Sequence, residues 1–332
     1  MPELRKDPVR ARWVIVVTER VRPIEEFRTP RGPRIAGPCT FCPGHEQETP
    51  PELLAYRDAG GGANAPDWRV RVVPNKFPAL RVEGEPGRRG VGLYDLMNGV
   101  GAHEVIIESP HHDLDLGDLS PAAVEDVLRA YRDRVLDLKR DQRLRAAVIF
   151  KTHRLAAGAS VEHPHSQLLA IPVLPVAVGE ELEQARTYHD YRERCLFCDI
   201  VRQELEAKSR VIVAGEHVVA FSPFASHVPF ETWIVPRRHA AAFEAGWAAE
   251  YRDLAHVLRA VLRKLDRVLD DPPFTLAIHS APFAESESPS YHWHIEVTPQ
   301  LLPPHGPEER GGLPENPMPP EDAARFLRDA TV

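Results

Sequence analysis

HPHSQLLAIP, residues 163–172, opens on His-x-His and runs into apolar residues, and HWHIEVTP, residues 292–299, does the same. Side chains alternate along a strand, so both imidazoles of each pair project to one face. Each stretch follows another apparent strand, RAAVIFKTH (145–153) or FTLAIHSA (274–281). Each of those follows a long helical pattern, SPAAVEDVLRAYRDRVLDLKR (120–140) or AAFEAGWAAEYRDLAHVLRAVLRKLDRVLD (241–270). Ser120 before Pro121 suits a helix start. Further back, WRVRVVPNKFPAL (68–80) with HEVIIESPHH (103–112) matches HVVAFSPFASHVPF (217–230) with ETWIVPRRH (231–239), each read as strand, turn, strand. Glu104 precedes His112 by eight residues, as Glu231 precedes His239. So many elements in one order predict an internal duplication: two α+β halves, 1–176 and 177–332, with antiparallel sheets and covering helices, and no Rossmann domain.

At 332 residues the chain has room for about two domains. With 43% hydrophobic and 27% charged residues it is neither a disordered chain nor a fibre. MPELRKDPVRARW (1–13) leads into no apolar signal segment, and no run approaches the roughly 18 apolar residues a membrane span needs. A cytoplasmic protein with no membrane partner is expected. The 41 Lys and Arg against 49 Asp and Glu give a formal charge of −8, which argues against a broad nucleic-acid surface but leaves room for a local phosphate pocket. Residues 176–206 are periodic enough for helical connections. LLPPHGPEERGGLPENPMPP (301–320) carries too much proline and glycine for continuous regular structure, and is expected to wrap the surface, cross to a partner or stay mobile.

The cysteines form two Cys-x2-Cys pairs, Cys39 with Cys42 and Cys195 with Cys198. A two-residue spacer lets a short turn aim both sulfurs at one tetrahedral ion. The repeated order supplies two further ligands to each, His112 and His163 in the first half and His239 and His292 in the second. Zinc suits both sets, and sites closed by protein ligands organise folding rather than activate water. Redox pairs, or plain thiols with His112 and His239 in surface turns, are the alternatives. His165 lies in GASVEHPHSQ (158–167), where Gly158 permits close backbone approach and Ser160, Ser166 and Gln167 offer neutral donors. A neutral imidazole there can attack phosphorus while those donors stabilise its oxygens; the alternative is a hydrogen-bonded structural histidine. His294 has no such loop, so one half is expected to perform chemistry and the other to support it.

WVIVVTERVRP (13–23), CTFC (39–42), VVPNKFPAL (72–80), HEVIIESPHH, AAGASVEHPHSQ (156–167) and YHWHIEVTP (291–299) occur together in this order, and over almost its whole length the chain resembles the galactose-1-phosphate uridylyltransferase family, a branch of the histidine triad (HIT) superfamily. The resemblance implies two HIT-like halves, the first with the catalytic histidine and the second with another metal site. It implies ping-pong exchange of UDP-glucose and galactose 1-phosphate for glucose 1-phosphate and UDP-galactose, in galactose metabolism, by a homodimer. On this resemblance His165 becomes uridylylated, Ser160 and Gln167 hold phosphoryl oxygens, and Cys39, Cys42, His112 and His163 bind structural zinc. Arg20 and Arg22 would lie near phosphate, and Asn75 and Phe77 near base and ribose. Three positions depart from the family pattern: Lys76 replaces an acidic residue, Thr152 an asparagine and Arg154 a common glycine.

For the second metal, some bacterial members use Glu and three His, matched by Glu181, His279, His292 and His294 as an iron site. Other relatives, including an ADP-glucose phosphorylase branch, use a second Cys2His2 set, matched by Cys195, Cys198, His239 and His292. The two sets share His292, so only one can be complete, and the cysteine set is expected, giving about two zinc ions per chain. The alternatives to uridylyl exchange are an ADP-glucose phosphorylase or related adenylyltransferase using the same nucleophile, and a nucleotide-binding sensor without turnover.

Overall fold

The computed structural model describes residues 1–19, 22–30, 37–58, 61–301 and 313–332. The chain opens with β1 (Glu3–Lys6) and β2 (Trp13–Val16), then runs through β3 (Leu54–Arg57), β4 (Trp68–Pro74), a hairpin of β5 (Arg89–Val91) and β6 (Tyr94–Leu96), β7 (Ala102–Ile107), helix α1 (Pro121–Leu138), β8 (Ala146–His153) and β9 (His165–Ile171). After α2 (Val176–Arg192) and α3 (Leu196–Ala207) the order recurs as β10 (Val211–Ala214), β11 (Val218–Phe221), β12 (Thr232–Pro236), α4 (Ala248–Leu269), β13 (Phe274–His279) and β14 (His294–Pro299). β15 (Glu315–Asn316) and α5 (Pro320–Asp329) follow. No described helix is long and apolar enough to cross a membrane.

Ten strands form one antiparallel sheet in the order β10-β11-β12-β14-β13-β8-β9-β7-β4-β3. The order is symmetric about its middle, where the counterparts β13 and β8 pair, Phe274 opposite His153 and Ile278 opposite Ile149. The expected duplicated α+β architecture is what the chain adopts, its two halves sharing a sheet. Register refines the repeat. Val105 opposes Gln167 and Trp233 opposes Glu296, which equates Glu104 with Thr232 rather than with Glu231. The connection to His239 is therefore one residue shorter than that to His112, and the equal sequence offsets are one residue out of register.

One face of the sheet takes α1 and α4. Leu168 and Ala170 of β9 and Ile295 and Val297 of β14 share a core with Val124 and Leu128 of α1 and Leu254 and Val261 of α4. Each Leu or Val so buried contributes roughly 1.5–3 kcal/mol. The Ser120 hydroxyl accepts from the Ala123 N–H at 3.2 Å, capping α1. Arg134 forks onto Glu104 with both bonds at 2.7 Å, pinning that helix to β7.

The opposite face differs between the halves. Over β11 and β12 it is covered by α2 and α3, with Leu182, Leu196, Phe197 and Val201 packed on Val219, Phe221 and Trp233. Over β7 and β9, His103, Gln167 and Leu169 are only half-buried, which leaves a surface open to a ligand.

In the proline-rich stretch, 302–312 lie outside the described residues; beyond them regular structure is confined to a two-residue strand and the first residue of a helix. Glu315–Asn316 pair in parallel with Ile15–Val16. Asn316 is fully buried and donates from Nδ2 to the Ser226 carbonyl at 2.9 Å, a side-chain bond of the kind the neighbouring prolines cannot make through their nitrogens. Pro320 then serves as the first residue of α5, whose Ala323, Ala324 and Leu327 enter the main core.

Candidate active site

His165 begins β9 and is 7% exposed. Its Nδ1–H donates to the His163 carbonyl at 2.9 Å, which leaves the Nε2 lone pair as the nucleophilic position of the ring. Burial pushes its pKa down to about 4, with the Lys151 ammonium acting in the same direction and the His163 carbonyl opposing, so the imidazole is neutral near pH 7. Gly158 sits at φ +95°, a left-handed turn residue after Leu155–Ala157. The chain then passes the exposed Ser160 on its way to His163.

Gln167 shares the face of His165, but Ser166 does not. Strand alternation turns Ser166 to the helix side, where it is fully buried, donates to Glu108 and shares a hydrogen bond with Tyr131 at 2.5 Å. It is therefore not available to a phosphate, contrary to expectation.

Asn75 lies just beyond β4, and its Oδ1 accepts from the Phe77 N–H at 2.9 Å. Phe77 is 83% exposed, a ring with little protein over it. Lys76 turns back to the Glu48 carbonyl at 3.3 Å. Arg22 is exposed, and Arg20 lies outside the described residues. Sequence reasoning missed His103. Its Nδ1 accepts from the Ala79 N–H at 3.1 Å, and its Nε2 lies 2.8 Å from Gln167 Oε1 and 3.0 Å from Asn75 Nδ2. It thus joins the residues expected at the base to the one expected at the phosphate. The only signal was its place on β7, two residues before Val105, which opposes Gln167.

Both cysteine sets assemble as expected, Cys39, Cys42, His112 and His163 in one and Cys195, Cys198, His239 and His292 in the other. In the first, sulfur-to-Nδ1 distances are 3.5, 3.6 and 3.7 Å; in the second they are 3.5, 3.5 and 3.9 Å. A tetrahedral ion with bonds of about 2.3 Å to sulfur and about 2.1 Å to nitrogen has edges of about 3.6 Å, so the donor sets fit zinc. His163 Nε2–H donates to the Ser109 carbonyl at 2.7 Å and His239 Nε2–H to the Ser288 carbonyl at 3.0 Å, which turns both Nδ1 atoms to the sulfurs. Between the cysteines of the first pair, Phe41 packs edge-on against His165, with centroids 5.4 Å apart.

The iron alternative fares differently. Glu181, His279 and His294 do meet, but with Glu296 as the fourth member, while His292 presents Nδ1 to the Cys198 sulfur. The Arg10 guanidinium reaches both carboxylates, at 2.8 Å from Glu181 and 2.6 Å from Glu296. A built-in cation already pairs with both carboxylates, and the fourth ligand of the expected iron set, His292, belongs to the cysteine site instead. His294, the counterpart of His165, is fully buried between Phe197 and Trp233, with each ring centroid 5.1 Å away, and has no side open to a substrate.

Beneath the His165 strand runs a line of alternating charges. The Lys151 ammonium lies 2.9 Å from Glu108 and 3.2 Å from Asp115. His153 lies 2.5 Å from Asp115 and 2.6 Å from Asp271, and Arg154 is 2.6 Å from Asp271. Both ring nitrogens of His153 face carboxylates, so both must carry protons. Burial alone would lower its pKa, but the Asp115 and Asp271 carboxylates hold it up at about 9. A folded pKa above the unfolded value gives stability that is full below about 6.5 and is lost as pH rises through about 9. Denaturant unfolding from pH 6 to 10 should show the protein losing roughly 1–3 kcal/mol more than His153→Gln across that window. Parallel pH curves for the two proteins would refute this account of the network.

Residues 39–175 match the family model for the N-terminal domain of galactose-1-phosphate uridyl transferase, and residues 181–304 match the model for its C-terminal domain. The whole chain is 35% identical to ADP-glucose phosphorylase of Arabidopsis thaliana, covering 93% of that protein. It is 27% identical over its whole length to galactose-1-phosphate uridylyltransferase of Thermotoga maritima, covering 99% of it. A crystal structure of an Arabidopsis thaliana ADP-glucose phosphorylase with bound ADP-glucose matches with a TM-score of 0.85 at 34% identity, both chains being fully covered.

Proposed function

Because the chain belongs to the galactose-1-phosphate uridylyltransferase family, we propose that it transfers a nucleoside monophosphate through His165. The observation that carries this reading is the anchored Nδ1–H of His165, with Nε2 free on the face that also bears Gln167. Nε2 attacks the α-phosphorus of a nucleotide sugar, a P–N bond forms, and the bond to the hexose phosphate breaks. The ring becomes cationic as it bonds phosphorus, and the His163 carbonyl stabilises that charge through Nδ1–H. In the second step an acceptor phosphate oxygen attacks the same phosphorus, the P–N bond breaks, and neutral His165 returns. Ser160 and the Gln167 amide donate to the phosphoryl oxygens, and Asn75 and Phe77 contact the nucleoside. Arg22, with Arg20, adds positive charge near the phosphates.

Two substrate pairs suit this chemistry. UDP-glucose with galactose 1-phosphate is the family reaction. ADP-glucose with inorganic phosphate, yielding ADP and glucose 1-phosphate, is supported by the full-length similarity to an ADP-glucose phosphorylase and by the assembled second cysteine set. We rank the ADP-glucose reaction first. In a matrix of both nucleotide sugars against both acceptors, kcat/KM for ADP-glucose with phosphate should exceed that for UDP-glucose with galactose 1-phosphate by about 100-fold or more, the scale that a mismatched hydrogen-bonding edge imposes. The reverse ranking restores uridylyl exchange, and an adduct that no phosphate discharges restores the non-catalytic sensor. The proposal includes one zinc ion in each Cys2His2 set, a boundary between the halves near residue 176, action in the cytoplasm, and a homodimer. For the last, the exposed Val91, Leu93 and Tyr94 on the β5–β6 hairpin supply apolar surface that a second copy would cover.

A further inference from the structure

We infer that His103 is a positioning residue that sets the orientation of the Gln167 amide, an inference that rests on the transfer chemistry proposed above. One donor in this network cannot change sides. The Ala79 backbone N–H points at His103 Nδ1 at 3.1 Å, so Nδ1 must be the unprotonated nitrogen and Nε2 must carry the hydrogen. Two amides meet that Nε2–H, Gln167 through Oε1 at 2.8 Å and Asn75 through Nδ2 at 3.0 Å. Asn75 cannot turn its oxygen toward the ring, because Oδ1 already accepts from the Phe77 N–H at 2.9 Å. The Nε2–H therefore donates to Gln167 Oε1.

Once Oε1 is held, the Gln167 NH2 group is the part of the amide left to face the open sheet surface that carries His165. The Asn75 NH2, with no acceptor on His103, is likewise left as a donor. A backbone N–H thus fixes one histidine tautomer, and that tautomer presents two amides as donors toward an anionic ligand. A flipped Gln167 would turn its oxygen on the phosphoryl group and repel it, and this charge matters most as negative charge builds in the transition state.

The test reads both the tautomer and the kinetics. In ¹⁵N NMR of the folded protein, with His103→Asn giving the assignment, the His103 Nδ1 resonance should be pyridine-like and the Nε2 resonance pyrrole-like. The opposite pattern overturns the inference whether or not the protein turns over any substrate. With the best substrate pair, His103→Leu should lower kcat about 10- to 100-fold while changing KM for the nucleotide sugar less than about threefold. His103→Gln, whose amide can still donate toward Gln167, should recover most of the loss. His103→Leu in a Gln167→Ala background should cost nothing further, and additive losses would show that His103 does not act through Gln167. His103→Asn is too short to reach Gln167 and should match His103→Leu; it replaces that variant if the leucine protein does not fold. A wild type that forms no His165 adduct removes the transfer reading and leaves the tautomer measurement to decide this one.

Discussion

Replacing His165 with alanine will lower nucleotidyl transfer by at least about 10⁴-fold and leave the melting temperature within a few degrees of wild type. The size follows from the chemistry. The imidazole is the covalent acceptor, and without it the nucleotide sugar has only water or the second substrate as a nucleophile, neither oriented by the His163 carbonyl that holds the ring. The stability half follows from the structure, because the His165 side chain belongs to neither cysteine set and, among the described residues, its ring hydrogen-bonds the His163 carbonyl two residues away. Incubation of the wild type with nucleotide sugar labelled at the α-phosphate should give an acid-labile, base-stable adduct on His165. An adduct mapped to another residue would remove the assignment, and activity lost together with the fold would show a structural role instead.

The sequence repeats were legible because their signals are local. His-x-His entering an apolar strand, Cys-x2-Cys and the long amphipathic helices each declare themselves within a few residues, and their shared order predicted both the duplicated sheet and the two ligand sets. What escaped depends on register and on distant chain. Ser166 lies among promising polar neighbours, yet its position in β9 turns it to Glu108 and Tyr131. His103 is a single histidine near a strand's start, and its meaning appears only when β7 is laid beside β9. Arg10 reads as a surface charge but meets Glu181 and Glu296, from 171 and 286 residues away, in the buried centre of the second half. Asn316 lies in a stretch whose prolines hid both β15 and the start of α5. The asymmetry of the halves has the same origin, since the covering of the second half's outer face by α2 and α3 is a tertiary fact with no local signature.

That asymmetry gives the second large effect, a difference between two metal sites alike in composition. The folded protein should carry about two zinc equivalents, and Cys39→Ala and Cys195→Ala should each lose one and be destabilised by roughly 3 kcal/mol or more, because structural metal binding is coupled to folding. Activity should separate them. Phe41, between the cysteines of the first pair, packs on the His165 ring, so opening that knuckle loosens the nucleophile itself. Phe197, between those of the second pair, packs on His294, which is enclosed and faces no substrate. At a temperature where both variants remain folded, Cys39→Ala should therefore lose about 100-fold or more in kcat, while Cys195→Ala keeps kcat within about threefold of wild type. Metal content by elemental analysis, denaturant unfolding and single-turnover adduct formation make the comparison. Equal kcat losses in the two variants would mean that the second site also supports the nucleophile, and the division of labour argued from Phe41 and Phe197 would be wrong.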